Sequence, residues 1–144
     1  SYAMNEMRIE KGYKAWGSEL TTEITPIEAR LERFVDDSKD FIGRDAVVAR
    51  KNEELSMVLV YCEVDTEDTE CRGNEPVYFQ NELVGITTSG TWSHTANKSL
   101  AFAYVRPDLE PAGSIIEVQL MGERRQAVVL DAPAVDPHNE RLRA

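Results

Sequence analysis

Two apolar runs joined by a polar passage constrain the fold of this chain more than any other feature. A β-rich run covers residues 83–88 and meets Ser89-Gly90, and a second apolar run covers residues 100–105 after a polar passage. Short apolar runs separated by turn residues are typical of antiparallel strands. The stretch therefore predicts strand, turn and strand at the centre of a small β-barrel or sandwich.

Further strands are predicted on both sides of this centre. Residues 55–64 are apolar on both faces, which predicts an internal strand. Gln80-Asn81 lies between two strand-like runs and predicts a tight hairpin. Residues 114–120 alternate between apolar and polar side chains, so one face is expected in the core and the other in water. A turn over residues 121–124 then leads into a last strand at residues 126–130.

The N-terminal third of the chain carries different signals. Two glycines interrupt any long helix in residues 8–20, so a loop-rich segment is expected there. Thr25-Pro26-Ile27-Glu28 has the form of a helix start, with a capping Thr, a Pro at the first helical position and a Glu that completes a capping box. Residues 31–35 predict a short strand, and residues 45–51 predict a short helix. The side chains of that helix that could face a core are Ala46, Val47 and Ala49.

Composition limits the classes of partner. With 144 residues, 42% of them hydrophobic and 29% charged, the chain is long enough for one domain with a core. A formal net charge of -10 argues against nucleic-acid binding, which needs clustered Lys and Arg. No apolar run reaches the about 18 residues of a membrane-spanning helix, and the N-terminus lacks the basic and apolar regions of a signal peptide. Neither a nucleic acid nor a membrane is therefore expected as a partner.

The side chains with reactive or metal-binding potential predict neither a catalytic nor a metal site. Cys62 and Cys71 form no CxxC pair, and two reduced thiols without a disulfide are expected. His94 has no orienting group or oxyanion site at a recognisable spacing, so it is expected in a loop, and His138 is expected in water. The acidic run at residues 65–70 fails the calcium-loop pattern, because its sixth residue is Glu rather than Gly.

Several motifs resemble those of one known family. They are Val84-Gly85-Ile86-Thr87-Thr88-Ser89-Gly90 followed by Lys98-Ser99-Leu100-Ala101-Phe102-Ala103-Tyr104-Val105, Arg8-x-Glu10-x-Gly12 followed by Trp16-Gly17, Thr25-Pro26-x-Glu28-Ala29, and Phe41-Ile42-Gly43-Arg44-x-Ala46. Together they resemble the C-terminal region of the glycine-cleavage aminomethyltransferase (T-protein) family. Within that family the resemblance is greatest to the folate-binding half of dimethylglycine and sarcosine dehydrogenases.

The resemblance implies a fold and a domain organisation. The fold class is mainly β: a small, jelly-roll-like C-terminal β-barrel with an N-terminal α+β extension left from a truncated folate-binding domain. The expected boundaries place a cloning remnant at residues 1–4, the tail of the folate-binding domain and a linker helix at residues 5–52, and the barrel at residues 53–144. The preceding domains of the same chain are then expected partners.

The resemblance also implies cofactor-binding residues. Arg8 matches the family's arginine in the tetrahydrofolate pocket, and a guanidinium suits carboxylates and polar heterocycles and can stack on a flat ring. Trp16 could flank the pterin or aminobenzoyl ring, and Glu10 could orient Arg8. The alternatives are a surface Arg8 that pairs with Glu10, and a Trp16 buried against the barrel. The aromatic residue that the family tends to place near the end of the barrel, in contact with folate, has no counterpart at residues 136–141.

The function implied is that of the C-terminal part of a flavin-dependent dimethylglycine or sarcosine dehydrogenase-like enzyme. In such an enzyme tetrahydrofolate captures the one-carbon unit from N-demethylation, so the partners are an amine and a folate, with FAD in the preceding part. No catalytic residue is assigned, because neither the family's acidic catalytic residue nor a dinucleotide-binding glycine motif has a counterpart in this sequence. The isolated chain is expected to be inactive and to bind tetrahydrofolate weakly at most.

Two other functions fit the same resemblance. The first is a stand-alone aminomethyltransferase or demethylase built on the same fold. The second is a non-catalytic binding or regulatory subunit that kept the barrel and lost the chemistry. The expected location is the bacterial cytoplasm, or the mitochondrial matrix if the source is eukaryotic.

Overall fold

Six antiparallel strands close into a barrel in the computed structural model, which describes residues 2–144. The strands are β1 (Val58–Val64), β2 (Pro76–Phe79), β3 (Glu82–Ser93), β4 (Lys98–Val105), β5 (Ile115–Leu120) and β6 (Glu123–Leu130). Their order around the barrel is β1-β4-β3-β2-β5-β6, and β6 pairs with β1 to close it. The predicted mainly β fold is confirmed, and so is the internal position of β1, which has β4 on one side and β6 on the other.

Small and β-branched side chains fill the inside of the barrel. Because side chains alternate along a strand, every second residue of each strand points inward, and a barrel of six strands is narrow. The interior residues of β1 and β4 are Val58, Val60, Cys62, Val64, Ala101, Ala103 and Val105. On the outer face of β4, Leu100, Phe102 and Tyr104 are also buried, in a second apolar cluster with Ile9. This burial on both faces explains the continuous apolar run at residues 100–105.

The predicted turn at Ser89-Gly90 is wrong, because β3 continues to Ser93. The register shifts between Thr87 and Ser89, which is a β-bulge, and the strand resumes pairing with β4 after it. The turn lies at residues 94–97 instead. Polar side chains in β3 look like a loop in the sequence, but Ser89 and Ser93 are buried and find hydrogen-bond partners outside the barrel.

Two hairpins have two-residue loops in which both residues have positive φ. The predicted Gln80-Asn81 hairpin is confirmed, with φ of 50° and 67°. Met121 and Gly122 have φ of 50° and 85°, and Leu120 pairs directly with Glu123. Positive φ at both loop residues gives the twist that matches a hairpin. The last strand therefore begins at Glu123, three residues earlier than predicted.

The N-terminal part contains two helices. Helix α1 spans Tyr2–Glu10, so residues 8–10, which were predicted to be loop, are its last turn. The expected cloning remnant falls partly on Ser1, which lies outside the described residues. Helix α2 spans Arg44–Lys51 and confirms the predicted short helix, but none of its residues is buried. The prediction that Ala46, Val47 and Ala49 face a core is wrong, because α2 is attached through the ion pairs of Arg50 with Glu28 and of Lys51 with Asp37.

Two predictions between these helices are also wrong. The capping contacts of Thr25 with Glu28 form, but the chain completes only one turn over residues 26–30, because Arg30 has a left-handed φ of 56°. Residues 31–35 do not form a strand, and Glu32–Phe34 is a 3-10 helical turn like Pro107–Leu109. Each barrel strand already has two neighbours, so a further strand would lack a partner. Within residues 2–144, no helix is long and apolar enough to cross a membrane.

Candidate ligand site at the N-terminal segment

Residues 2–35, here called the N-terminal segment, pack on the outer face of the barrel. Ile9 of α1 is fully buried against Leu100 and Phe102 of β4. Asn5 donates a hydrogen bond of 3.3 Å to the carbonyl oxygen of Gly90 in β3. The segment thus lies across β3 and β4, and its polar side chains meet the polar side chains of β3.

Glu19 is the most heavily bonded side chain of the segment, and it is fully buried. Its Oε2 accepts hydrogen bonds from Arg8 Nη1 at 2.8 Å and from the backbone N–H of Ala15 at 2.9 Å. Its Oε1 accepts one from Thr88 Oγ1 at 2.7 Å and another from Ser89 Oγ. Four donors therefore surround one carboxylate, which satisfies the requirement that a buried charge be paired and hydrogen-bonded.

Arg8 uses most of its donors within the protein. Its Nε donates to Asn5 Oδ1 at 3.0 Å, and its Nη1 donates to the carbonyl oxygen of Tyr13 at 3.1 Å as well as to Glu19. Its side chain is 16% exposed. The alternative of a surface Arg8 paired with Glu10 is wrong, because the carboxylate that pairs with Arg8 is that of Glu19.

Glu10 and Trp16 lie apart from this pair. Glu10 is buried and accepts hydrogen bonds from Ser93 Oγ at 2.6 Å and from the backbone N–H of Thr95 at 3.3 Å. Glu10 therefore holds the turn after β3. Trp16 is 73% exposed, so the alternative that it is buried against the barrel is wrong. The structure brings Arg8 together with Glu19, and within residues 2–144 no hydrogen bond or ion pair joins Arg8 to Glu10 or to Trp16.

A groove of about 680 Å³ lies beside this cluster, between the segment, the barrel and the C-terminal tail. Its size falls within the range of small-molecule sites. Its basic and aromatic lining residues are Lys11, Lys14, Arg30, Arg33, Tyr13, Tyr61 and Phe102. The lining also includes the acidic residues Glu110 and Asp131, so four basic and two acidic residues surround the groove in a chain with 26 acidic and 16 basic residues.

The four basic residues of the groove differ in their partners. Lys11 pairs with Asp136 at 3.2 Å, and Arg30 pairs with Glu110. Within residues 2–144, neither Lys14 nor Arg33 forms an ion pair with a carboxylate. Burial lowers the pKa of Lys14, and the positive charge of Arg33 lowers it further. The carboxylates of Glu19 and Glu32 act on the pKa of Lys14 in the opposite direction. Two neighbouring cations that form no direct ion pair can still attract an anionic group.

Neither histidine takes part in this site. His94 lies in the turn after β3, as predicted, and its Nδ1 is 2.9 Å from Glu6 Oε1. The backbone N–H of His94 also bonds Glu6, and this hydrogen bond lowers the pKa of that carboxyl. His138 is exposed. In the described part of the chain, no three His, Cys, Asp or Glu side chains come together in a way that could hold a metal ion.

Sequence reasoning missed Glu19 and its partners Thr88 and Ser89. A buried carboxylate and an exposed one look alike in a sequence, and Glu19 lies in a stretch with glycines that indicates a loop. The groove cations Lys14 and Arg33 were also missed. They are 19 residues apart, and the turns between them bring them together. No sequence periodicity predicts those turns.

Comparisons with known proteins agree with this architecture. The family model of the glycine cleavage T-protein C-terminal barrel domain matches residues 58–136. Mouse mitochondrial dimethylglycine dehydrogenase is 42% identical over 146 residues, covering 99% of this chain and 17% of that protein. A probable aminomethyltransferase of Pyrococcus abyssi is 35% identical, covering 94% of this chain and 36% of that protein. The similarity to the mouse protein therefore includes the N-terminal segment as well as the barrel.

A solved structure shows the same fold. The glycine cleavage system aminomethyltransferase T of Bartonella henselae superposes with a TM-score of 0.87 and 23% sequence identity, over 94% of this chain and 38% of that one. The chain thus spans about a sixth of the dehydrogenase and little more than a third of the aminomethyltransferases that it matches.

Proposed function

Because this chain belongs to the family of the glycine cleavage T-protein C-terminal barrel domain, we propose that it is part of the tetrahydrofolate-binding half of a flavin-dependent dimethylglycine or sarcosine dehydrogenase-like enzyme. The observation that carries the proposal is the 42% identity to mouse dimethylglycine dehydrogenase over 99% of the chain. In the longer parent protein, tetrahydrofolate takes up the one-carbon unit that N-demethylation of the amine releases. FAD binds in the preceding part of that parent, which acts in the mitochondrial matrix or the bacterial cytoplasm.

The chemistry of the N-terminal segment supports a role in folate binding. Tetrahydrofolate combines flat polar rings with carboxylates, and a guanidinium can serve both kinds of group. Arg8 is the proposed contact, and the exposed indole of Trp16 is available for stacking. Glu10 acts indirectly, because its bonds to Ser93 and Thr95 hold α1 on the barrel. Lys14 and Arg33 extend the cationic character into the adjacent groove.

The chain contributes binding and positioning in this proposal, and the carbon transfer is catalysed by residues of the preceding part. In this proposal Arg8 is the one charged group that contacts the ligand directly. A single charged contact contributes about 1.5 to 3 kcal/mol, whereas association costs at least about 4 kcal/mol. The 144-residue chain alone is therefore too small a part of the site to hold the ligand. This chain is accordingly proposed to be inactive by itself.

Calorimetry with tetrahydrofolate tests the proposal. The parent protein should bind tetrahydrofolate, Arg8→Ala should weaken that binding about tenfold or more, and the 144-residue chain should bind weakly or not at all. Glu23→Ala, at an exposed position of the same segment, is the control and should leave the affinity unchanged. Failure of the parent to bind tetrahydrofolate would refute the proposal. Micromolar binding by the 144-residue chain would show that the barrel and the segment carry the site themselves.

The similarity to the aminomethyltransferases favours a second candidate, a stand-alone enzyme of that kind without a flavin domain. The two candidates differ in the cofactor of the purified parent. A flavin absorbance spectrum and reduction by an N-methyl amine support the dehydrogenase. A colourless parent that transfers an aminomethyl carbon to tetrahydrofolate supports the aminomethyltransferase.

A further inference from the structure

Glu19 gives the guanidinium of Arg8 a fixed orientation. The Glu19 side chain has no solvent exposure, whereas that of Arg8 is 16% exposed, so the pair reaches from the interior to the surface. Oε2 of Glu19 and the carbonyl oxygen of Tyr13 both accept from Nη1, and Asn5 accepts from Nε. Contacts on two of its three nitrogens leave a planar guanidinium little freedom to rotate.

One nitrogen of Arg8 remains available. Within residues 2–144, Nη2 of Arg8 has no hydrogen-bond partner. The fully buried nitrogen and oxygen atoms without a partner do not include it, so it reaches the protein surface. It is therefore in contact with water and carries two N–H donors. An oxygen or nitrogen acceptor of a ligand can reach Arg8 only from this side.

Glu19 is itself anchored to the barrel. Thr88 and Ser89, next to the bulge of β3, both donate to Oε1, and Tyr104 of β4 donates from its hydroxyl to the backbone carbonyl of Glu19 at 2.7 Å. The position of Nη2 is thus defined relative to two strands. A flexible surface arginine would not hold its nitrogens in one position relative to the strands.

We propose that Glu19 is a positioning residue, whose buried carboxylate holds Arg8 so that Nη2 is a preformed donor for a carboxylate or a polar heterocycle of the ligand. A preformed donor loses less conformational freedom on binding than a mobile one, so the affinity is higher. The identification of that ligand as tetrahydrofolate rests on the function proposed above. The fixed orientation of Arg8 does not depend on that function.

Nitrogen NMR of the 144-residue chain tests the orientation directly. A guanidinium held by hydrogen bonds rotates slowly about its Cζ–Nη bonds and exchanges its hydrogens slowly, so separate Nη resonances of Arg8 are expected. Glu19→Gln keeps the shape of the side chain and removes the charge, and it should abolish these separate resonances. Glu28→Gln is the matched control, because Glu28 pairs with Arg50 at 2.6 Å. It should change the signals of Arg50 and leave those of Arg8 intact.

Separate Arg8 resonances that persist in Glu19→Gln would overturn the proposal. A loss of the amide signals of the whole segment would mean that Glu19 only maintains its fold, which also contradicts the proposal. Amide spectra that stay close to those of the unchanged chain, with the Arg8 Nη resonances merged, support it.

Binding to the parent protein provides the second measurement. Glu19→Gln should raise the dissociation constant for tetrahydrofolate about tenfold, and should have no further effect in an Arg8→Ala background, because Glu19 acts through Arg8. An equal effect in both backgrounds would refute action through Arg8. Unchanged affinity in Arg8→Ala alone would refute the proposed folate contact, while the NMR result would still decide whether Glu19 orients Arg8.

Discussion

The barrel and the N-terminal segment are held in place by different interactions. In the barrel, every strand pairs on both sides and the interior is filled mainly by Val, Ala, Leu and Ile. Fewer apolar side chains attach the N-terminal segment, among them Ile9 and Ile24, and hydrogen bonds to the buried carboxylates of Glu10 and Glu19 attach it further. Apolar burial is non-directional, whereas a buried hydrogen bond is lost entirely when one partner is removed.

This difference implies two levels of stability within one chain. Regions with few buried apolar contacts open locally at a lower free energy than the core. We therefore expect the segment to detach from a barrel that stays closed. Substitutions in the two regions should then differ in how much they lower the free energy of unfolding and in which residues they affect.

Gly85→Ala should have the largest effect, because it prevents β3 and β4 from approaching. A Cβ at this position would overlap the carbonyl oxygen of Tyr104 and lie 3.0 Å from Cα of Val105. We expect a loss of about 3 kcal/mol or more in the free energy of unfolding, measured by urea denaturation.

Gly113→Ala is the control for this substitution. Nothing lies within 4 Å of the added Cβ, and only the left-handed φ of 88° is strained. A loss of about 1 to 2 kcal/mol is expected there. Equal losses in the two variants would contradict the steric argument at Gly85, which does not have a left-handed φ.

Glu10→Ala should have an intermediate effect confined to the segment. The hydroxyl of Ser93 and the N–H of Thr95 lose their acceptor, which costs about 2 kcal/mol. Amide hydrogen exchange should accelerate in residues 2–20 and remain slow in β5 and β6. Glu23→Ala, at an exposed position, should change neither region. Equal acceleration in β5 and β6 would mean that segment and barrel unfold as one unit.

The attachment of the region around Glu28 should depend on pH. Burial raises the pKa of Glu28, but hydrogen bonds from the Thr25 N–H and from Arg50 outweigh it, so the net pKa lies below the ordinary value of 4.5. A carboxyl with a depressed pKa in the folded state contributes stability above its unfolded pKa and loses it as the pH falls through the folded value. Glu28→Gln should therefore cost about 1 kcal/mol at pH 7 and almost nothing well below pH 4.5. Thermal unfolding of both proteins across this range measures the difference, and a constant difference would contradict the assignment.

Cys62 and Cys71 belong to the core cluster of the barrel, so their rate of labelling should change least when the N-terminal segment detaches. Burial raises the pKa of Cys62 to about 12 and also raises that of Cys71, and the thiolate is the reactive form. Thiol labelling of the folded chain should be slow, and equally slow in Glu10→Ala. Denaturation without reductant should release two free thiols. Finding none would show a disulfide.

Much of the barrel was predictable from the sequence because strand patterns are local. The alternation at residues 114–120 predicts a strand, and Gln80-Asn81 predicts a hairpin turn, without any information from distant residues. The path of β3 through Ser89 and Ser93 was not predictable, since its polar side chains are matched by carboxylates that lie far away in the chain.

The candidate site was predictable only where a motif exists. Arg8 was found through its resemblance to a family motif, and its role in binding stays a prediction. Glu19 could not be found, because its burial depends on the docking of the segment onto Thr88 and Ser89, about 70 residues later in the sequence. Such tertiary contacts leave no periodic signal.

The closure of the barrel between β1 and β6 has a consequence for synthesis on the ribosome. The first strand to emerge cannot complete its pairing until the last one has been made, because Tyr61 pairs with Leu130. A nascent chain that ends before β6 leaves one edge of β1 open, and open strand edges promote aggregation. Folding of the barrel is therefore coupled to the synthesis of β6, and a helper that shields β1 would be needed only until that strand has emerged.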